Sequence, residues 1–124
     1  MDQDTRPPGK TTVAPDVLVE IARMAALKVA GVHDMAPVSG GVNRLFRRGI
    51  TDGVRISIAE DVVYADLYII LEKGINIRDI SRTIQKKVTR SITEMVGMDV
   101  GEINIHIENI AYENEEEALA AGSN

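Results

Sequence analysis

Apolar residues recur every three or four positions near the start of the chain, a spacing that places them on one face of a helix. Pro15 suits the first turn, because its missing N–H would have no partner inside the helix there. Gly31 is the predicted C-cap, since glycine adopts a left-handed backbone at no steric cost. The predicted helix therefore begins near Val13 and ends before Gly31. Its apolar face is formed by Val17, Leu18, Ile21, Ala22, Ala25 and Val29.

A second amphipathic helix is predicted from Ile77 to Val96, where apolar residues again form one stripe and basic residues lie elsewhere on the surface. Gly97 follows as its predicted C-cap. The stripe consists of Ile77, Ile80, Ile84, Val88, Ile92, Met95 and Val96.

Three segments alternate between apolar and polar residues, which is the period of a half-buried strand. They are residues 54–59, 62–71 and 102–110. Glu60 and Asp61 form a short turn between the first two, which predicts an antiparallel hairpin. The second strand is apolar on both faces, so its outer face, with Tyr64, Tyr68 and Ile70, is expected to be partly covered.

These elements predict an α+β domain in the order α-β-β-α-β. Because the sheet and both helices each have one apolar face, a two-layer sandwich satisfies them best, with both helices on one face of a three-stranded or four-stranded sheet. Residues 33–53, which include Pro37 and several glycines, are predicted to form a long exposed loop. We expect a single domain over residues 13–112, preceded by a mobile segment at 1–12 and followed by a flexible acidic tail at 113–124.

The composition of the chain limits the kinds of protein to which it can belong. The chain has 124 residues, of which 44% are hydrophobic, and a single domain of that length buries about two-thirds of the surface of its unfolded chain. There are no cysteines, which excludes disulfides and thiolate metal sites. The net charge of −5 argues against nucleic-acid binding through bulk charge. No apolar run reaches the ~18 residues of a membrane span and the N-terminus is unlike a signal peptide, so the expected location is cytoplasmic.

A search for catalytic chemistry finds no constellation of the right residue types. His33 and His106 are far apart in the sequence, and no cluster has the spacing of a metal site. Glu60, Asp66 and other carboxylates on the predicted hairpin are interpreted as solvated charges. No serine has an adjacent base, and the Gly40-Gly41 pair lacks the lysine of a phosphate-binding loop. The sequence therefore predicts no catalytic residue, cofactor or metal.

Three surfaces remain as candidates for binding. A basic segment could dock on an acidic partner or an anionic membrane, although a solvated loop is the simpler interpretation; it contains Arg44, Phe46, Arg47 and Arg48. A basic stripe on the second helix could hold anions, although a solvated helix face is favoured; it consists of Arg82, Lys86 and Arg90. The apolar outer face of the second strand is a candidate protein contact, formed by Tyr64, Tyr68 and Ile70.

Several segments, taken together in their order and spacing, resemble a known family. The matching segments are residues 13–18, 21–22, 29–32, 53–54, 74–77, 84–88, 95–100 and 103–107. They resemble the alkaline shock protein family of envelope stress response proteins, found mainly in Gram-positive and related bacteria, over about residues 12–112. The sequence departs from the family in Glu72-Lys73 before Gly74, where an aromatic residue is common, and in its acidic tail.

The resemblance implies a non-enzymatic cytoplasmic protein that forms homo-oligomers and reaches the inner side of the membrane through a membrane-anchored protein partner. On this basis we expect a self-associating scaffold of the envelope stress response. Two alternatives stay open: a nucleic-acid-binding module that uses the basic stripe, and an accessory subunit of a fatty-acid or lipid enzyme. Nucleic acid is the less favoured partner, because the chain lacks the aromatic residues usual in single-strand RNA binders.

Overall fold

The computed structural model of the chain describes residues 8–37, 50–51 and 53–111. Two helices and five strands lie within these ranges. In chain order they are α1 (Pro15–Leu27), β1 (Val32–Met35), β2 (Ile50–Thr51), β3 (Val54–Ala59), β4 (Val62–Glu72), α2 (Ile77–Val96) and β5 (Asp99–Ala111). The predicted α+β class and the two-layer arrangement with both helices on one face of the sheet are confirmed.

The sheet is organised around β4, the strand that contacts three others. β5 runs parallel along one edge of β4, from the Val62–Asp99 pair to the Glu72–Ala111 pair. β3 is antiparallel to the first half of β4, and β1 is antiparallel to the last residues of the same edge. β2 extends the sheet beyond β3.

The two strands that the sequence did not predict, β1 and β2, overlap the segment expected to be a loop, and β1 begins one residue before it, at Val32. In β1 the burial pattern is buried, exposed, exposed, buried, because the pairing register shifts between Val32 and Asp34. This irregularity removes the two-residue alternation by which a strand is recognised. The predicted loop is therefore corrected at both of its ends, while residues 38–49 lie outside the described part of the chain.

Gly53 stands at the point where β1, β3 and β4 meet. The backbone N–H of Tyr68 donates to the Gly53 carbonyl, and the Tyr68 carbonyl accepts from the N–H of Ala36, both at 2.8 Å. Gly53 has a φ of +79°, and a Cβ there would overlap the Ala36 carbonyl oxygen and lie 2.8 Å from the Tyr68 oxygen. Only glycine fits this junction, since two strands share one edge of β4 here.

The ends of the helices are explained by their capping residues, and one predicted cap has to be corrected. The Asn76 side chain caps α2 by accepting from the N–H of Asp79 at 2.9 Å, and Gly97 closes it in a left-handed conformation. In contrast, α1 ends at Leu27 with Lys28 as its C-cap, so the prediction of Gly31 as cap was wrong. Gly31 instead turns the chain into β1, and its carbonyl accepts from the N–H of Glu72.

The core lies between the helices and the inner face of the sheet. Its largest fully buried side chains are Leu18, Leu67, Ile69, Leu71, Ile84, Ile92, Val19, Val54, Val63 and Val88. Three residues predicted on the apolar faces are instead well exposed: Val17, Ile77 and Met95. Ile77 and Met95 occupy the first and last turns of α2, where the stripe extends past the core.

Candidate interaction surface

The outer face of the sheet is the surface that neither helix covers within the described residues. Strand alternation turns Val63, Ala65 and Leu67 inward, where they are fully buried, and turns Tyr64 and Tyr68 outward. Tyr64 is exposed, and Tyr68 and Ile70 are half-buried. The expected covering of this face is thus supplied by neighbouring side chains of the sheet.

The ring of Tyr64 packs directly on Gly101 of the neighbouring strand β5. A Cβ at residue 101 would overlap Cε1 of the ring and lie 2.8 Å from Cδ1. The absence of a side chain at Gly101 therefore lets the ring lie against the sheet and present one of its sides to solvent. This is an aromatic surface of the kind that is enriched at protein interfaces.

Next to it, a polar cluster joins β4 to β5. One carboxylate oxygen of Asp66, Oδ1, accepts from Nδ2 of Asn104 at 3.2 Å and lies 2.9 Å from Nε2 of His106. The His106 ring stacks on Tyr68, with ring centroids 4.6 Å apart and planes inclined by 14°. The parallel register, which places Asn104 beside Asp66 and His106 beside Tyr68, brings these residues together.

This cluster was missed from the sequence, where Asp66 and His106 are separated by 40 positions. The sequence interpretation treated Asp66 only as a solvated charge; the structure adds its contacts with Asn104 and His106. The cluster could have been predicted only by pairing the two alternating segments that form β4 and β5. That pairing requires their parallel register to be known. The two side chains keep 29% and 40% of their surface exposed, so a charged pair would be worth only about 0.2–1 kcal/mol.

The contacts within the cluster fix the orientation of its side chains. Asp66 uses one oxygen for two neighbours, and His106 is held between Asp66 and Tyr68. Within residues 8–37, 50–51 and 53–111, no three His, Asp or Glu side chains are grouped so as to hold a metal ion. The outer face thus carries aromatic and polar side chains next to one another.

The predicted basic stripe lies on the exposed side of α2. Arg82, Lys86 and Arg90 follow one another at intervals of one turn, as expected. The guanidinium of Arg90 donates from Nε to Glu94 at 2.8 Å, and this hydrogen bond raises the pKa of Arg90 above its usual value. No aromatic residue occurs on α2, so the stripe has nothing on which a base could stack.

The other predicted binding segment lies outside the described residues. It contains Arg44, Phe46, Arg47 and Arg48, and its role stays a prediction.

Comparison with known proteins identifies the family. The model of the alkaline shock protein 23 family, described as having a cell envelope-related function, matches residues 3–112. The chain belongs to this family. The resemblance read from the sequence segments is therefore confirmed.

Two relatives in the alkaline shock family come from Bacillus subtilis (strain 168). YqhY of Bacillus subtilis (strain 168) is 30% identical over 115 residues, which cover 91% of this chain and 85% of YqhY. YloU of the same organism is 24% identical over 110 residues, covering 86% of this chain and 92% of YloU. Solved structures of MamM CTD are also similar; its manganese form has a TM-score of 0.48 and 12% identity and covers 77% of this chain and 99% of that chain.

The helices were also compared with the requirements of a membrane-spanning helix. Neither α1 nor α2 combines the length and the apolar character that a helix needs to cross a bilayer, and this holds for the described residues.

Proposed function

We propose that this protein is a non-enzymatic scaffold of the envelope stress response, and that it self-associates through the outer face of its sheet. The scaffold works at the inner face of the cell membrane, to which a membrane-anchored protein partner brings it. The observation that carries the proposal is the outer face that neither helix covers among the described residues, where Tyr64, Tyr68 and Ile70 lie beside the Asp66–His106 pair. Membership of a family with a cell envelope-related function supports the cellular setting.

A second copy of this chain is the occupant that the outer face fits best. The face carries both signs of charge: Arg55 lies opposite Asp66 in the β3–β4 register, and Asp34 lies opposite Ile70. A two-fold axis presents the same patch on both subunits, so a surface that contains both signs can complement itself. The aromatic rings at its centre supply the apolar area that such a contact needs.

The size of the face predicts a reversible contact. β4 has 11 residues, so the face is about 36 Å long at ~3.3 Å per residue. Three strands spaced by ~4.8 Å make it roughly 14 Å wide, giving about 500 Å² per copy. Roughly 1,000 Å² in total belongs to the small, transient class of interfaces. Self-association should therefore depend on concentration over the micromolar range.

Sedimentation velocity over a concentration series tests the proposal. We expect the wild-type chain to sediment faster as its concentration rises, and the variant Tyr64→Ser with Tyr68→Ser to associate at least about tenfold more weakly, which corresponds to ~1.4 kcal/mol. Met95→Ser is the matched control, because Met95 is 71% exposed but lies on α2, on the other side of the sheet. A wild-type chain that stays monomeric throughout, or a control that weakens association equally, would contradict the proposal.

A further inference from the structure

A shallow groove runs along one side of α2. Its first part is lined by Ile75, Asn76, Ile77, Arg78, Ser81, Arg82 and Gln85, and its second part by Gln85, Lys86, Thr89, Arg90, Thr93 and Glu94. The Gln85 side chain, which belongs to both parts, donates from Nε2 to the Ile103 carbonyl at 3.0 Å. This hydrogen bond shows that the groove lies on the surface of α2 next to β5.

The groove carries unbalanced positive charge. Arg90 is paired with Glu94, whereas Arg78, Arg82 and Lys86 have no ion-pair partner within the described ranges. Between Lys73 and Arg90 the only acidic residue is Asp79. The whole chain has a net charge of −5, whereas this side of α2 is positively charged. An acidic extended segment is the ligand that such a groove fits.

The sequence has an acidic segment shortly after β5. Four carboxylates occur in residues 113–117: Glu113, Glu115, Glu116 and Glu117. The last residue of β5, Ala111, pairs with Glu72, which precedes the start of α2 by five positions. The last described residue of β5 therefore lies at the end of the sheet at which α2 begins. Six residues can span up to about 20 Å, which brings these carboxylates within reach of the first turns of α2.

We infer that residues 113–117 bind in the α2 groove of their own molecule, with their carboxylates against Arg78, Arg82 and Lys86. The same residues of a second copy are a poorer fit, because two such helix sides facing each other would repel through their matching basic residues. Occupation of the groove by the chain's own acidic segment also shields the basic stripe from phosphates. This contact is independent of the proposed self-association, which uses the opposite face of the sheet.

Spin labelling in the whole 124-residue chain tests the contact. Because the chain has no cysteine, the variant Ala118→Cys accepts one nitroxide label next to the four carboxylates. We expect the label to broaden the amide signals of residues 78–86 in the NMR spectrum of the ¹⁵N-labelled protein, and to leave Arg55, in β3, unaffected. The broadening should be lost in 1 M salt, where the Debye length falls to about 3 Å.

Matched variants separate charge pairing from mere proximity. Replacing all four glutamates by glutamine should abolish the broadening without altering the fold. Lys86→Gln should reduce it, whereas Lys87→Gln should not, because Lys87 is exposed on the same helix but lines neither part of the groove.

Two results would overturn the inference. One is broadening of the α2 signals that persists unchanged in the four-glutamine variant. The other is equally strong broadening when spin-labelled ¹⁴N protein is mixed with unlabelled ¹⁵N protein, because it would place the contact between molecules. Neither result depends on whether the protein self-associates through the outer face, which sedimentation measures separately.

Discussion

The ring of Tyr64 lies on the backbone of Gly101, across the parallel pair of β4 and β5, so closely that no β-carbon fits between them. The backbone at Gly101 does not have a positive φ. Glycine is therefore favoured at this position because of the nearby ring, and not because of the backbone conformation. Tyr64 is exposed at its other side and belongs to the proposed contact surface. The shape of that surface therefore depends on the absence of a side chain on the neighbouring strand.

Gly101→Ala should displace the Tyr64 ring and destabilise the fold by about 1 kcal/mol, the lower range for overpacking, because an exposed ring can swing toward water. The measurement is a urea titration of the variant against wild type. In a Tyr64→Ser background the same substitution should be close to neutral, since the overlap is gone. An equal cost in both backgrounds would show that the ring is not the cause.

Gly53→Ala should be far more costly than Gly74→Ala. Both glycines have a positive φ, +79° and +85°, so an alanine at either site bears a backbone penalty of about 1–2 kcal/mol. At Gly53 the new Cβ would in addition overlap the Ala36 carbonyl, whereas at Gly74 nothing lies within 4 Å.

We therefore expect Gly74→Ala to unfold at a moderately lower temperature and Gly53→Ala to fail to form the junction of β1 with β4. Thermal unfolding followed by circular dichroism compares the two. Equal melting temperatures for the two variants would show that the junction tolerates a side chain.

Truncation of Leu67, which is fully buried in β4, should cost about 2–5 kcal/mol in free energy of unfolding, since Leu67→Ala leaves a cavity between the sheet and the helices. Met95 is equally apolar but 71% exposed, and Met95→Ala should change stability by no more than about 0.5 kcal/mol. Chemical denaturation checks both. Similar costs at the two positions would mean that the end of α2 is covered in solution.

Asp66→Ala should leave the stability of the monomer nearly unchanged, because the carboxylate and the His106 ring are both partly exposed and water can replace the lost contacts. The expected effect is on orientation: Asn104 and His106 lose their shared acceptor, and the ring is free to leave Tyr68. We expect weaker self-association in sedimentation and a changed chemical shift for the His106 ring protons. A loss of several kcal/mol in the unfolding free energy would instead assign the cluster a structural role.

Local patterns predicted much of the fold because each depends on residues that are close in the sequence. The three- and four-residue spacing of Ile80, Ile84 and Val88 is a property of one helix, and the alternation along β4 is a property of one strand. The left-handed Gly97, predicted as a cap, likewise belongs to its own helix. The family followed from the order and spacing of such segments.

Long-range pairings could not be read in this way. β1 is too short and too irregular to show a period, and it is a strand only because β4 offers it the free end of an edge already used by β3. Which side chains of β5 meet which of β4 depends on a parallel register that residues far apart in the sequence set together.

By itself, the sequence determined the class of the fold, its two helices, its three regular strands and its family, since all of these are properties of local hydrophobic periodicity and of segment order. Only the tertiary structure decided that Asp66, Asn104, His106 and Tyr68 form one cluster and that Tyr64 rests on Gly101. The physical reason is that a side chain's neighbours across a sheet are chosen by strand register, which is the outcome of packing the whole core.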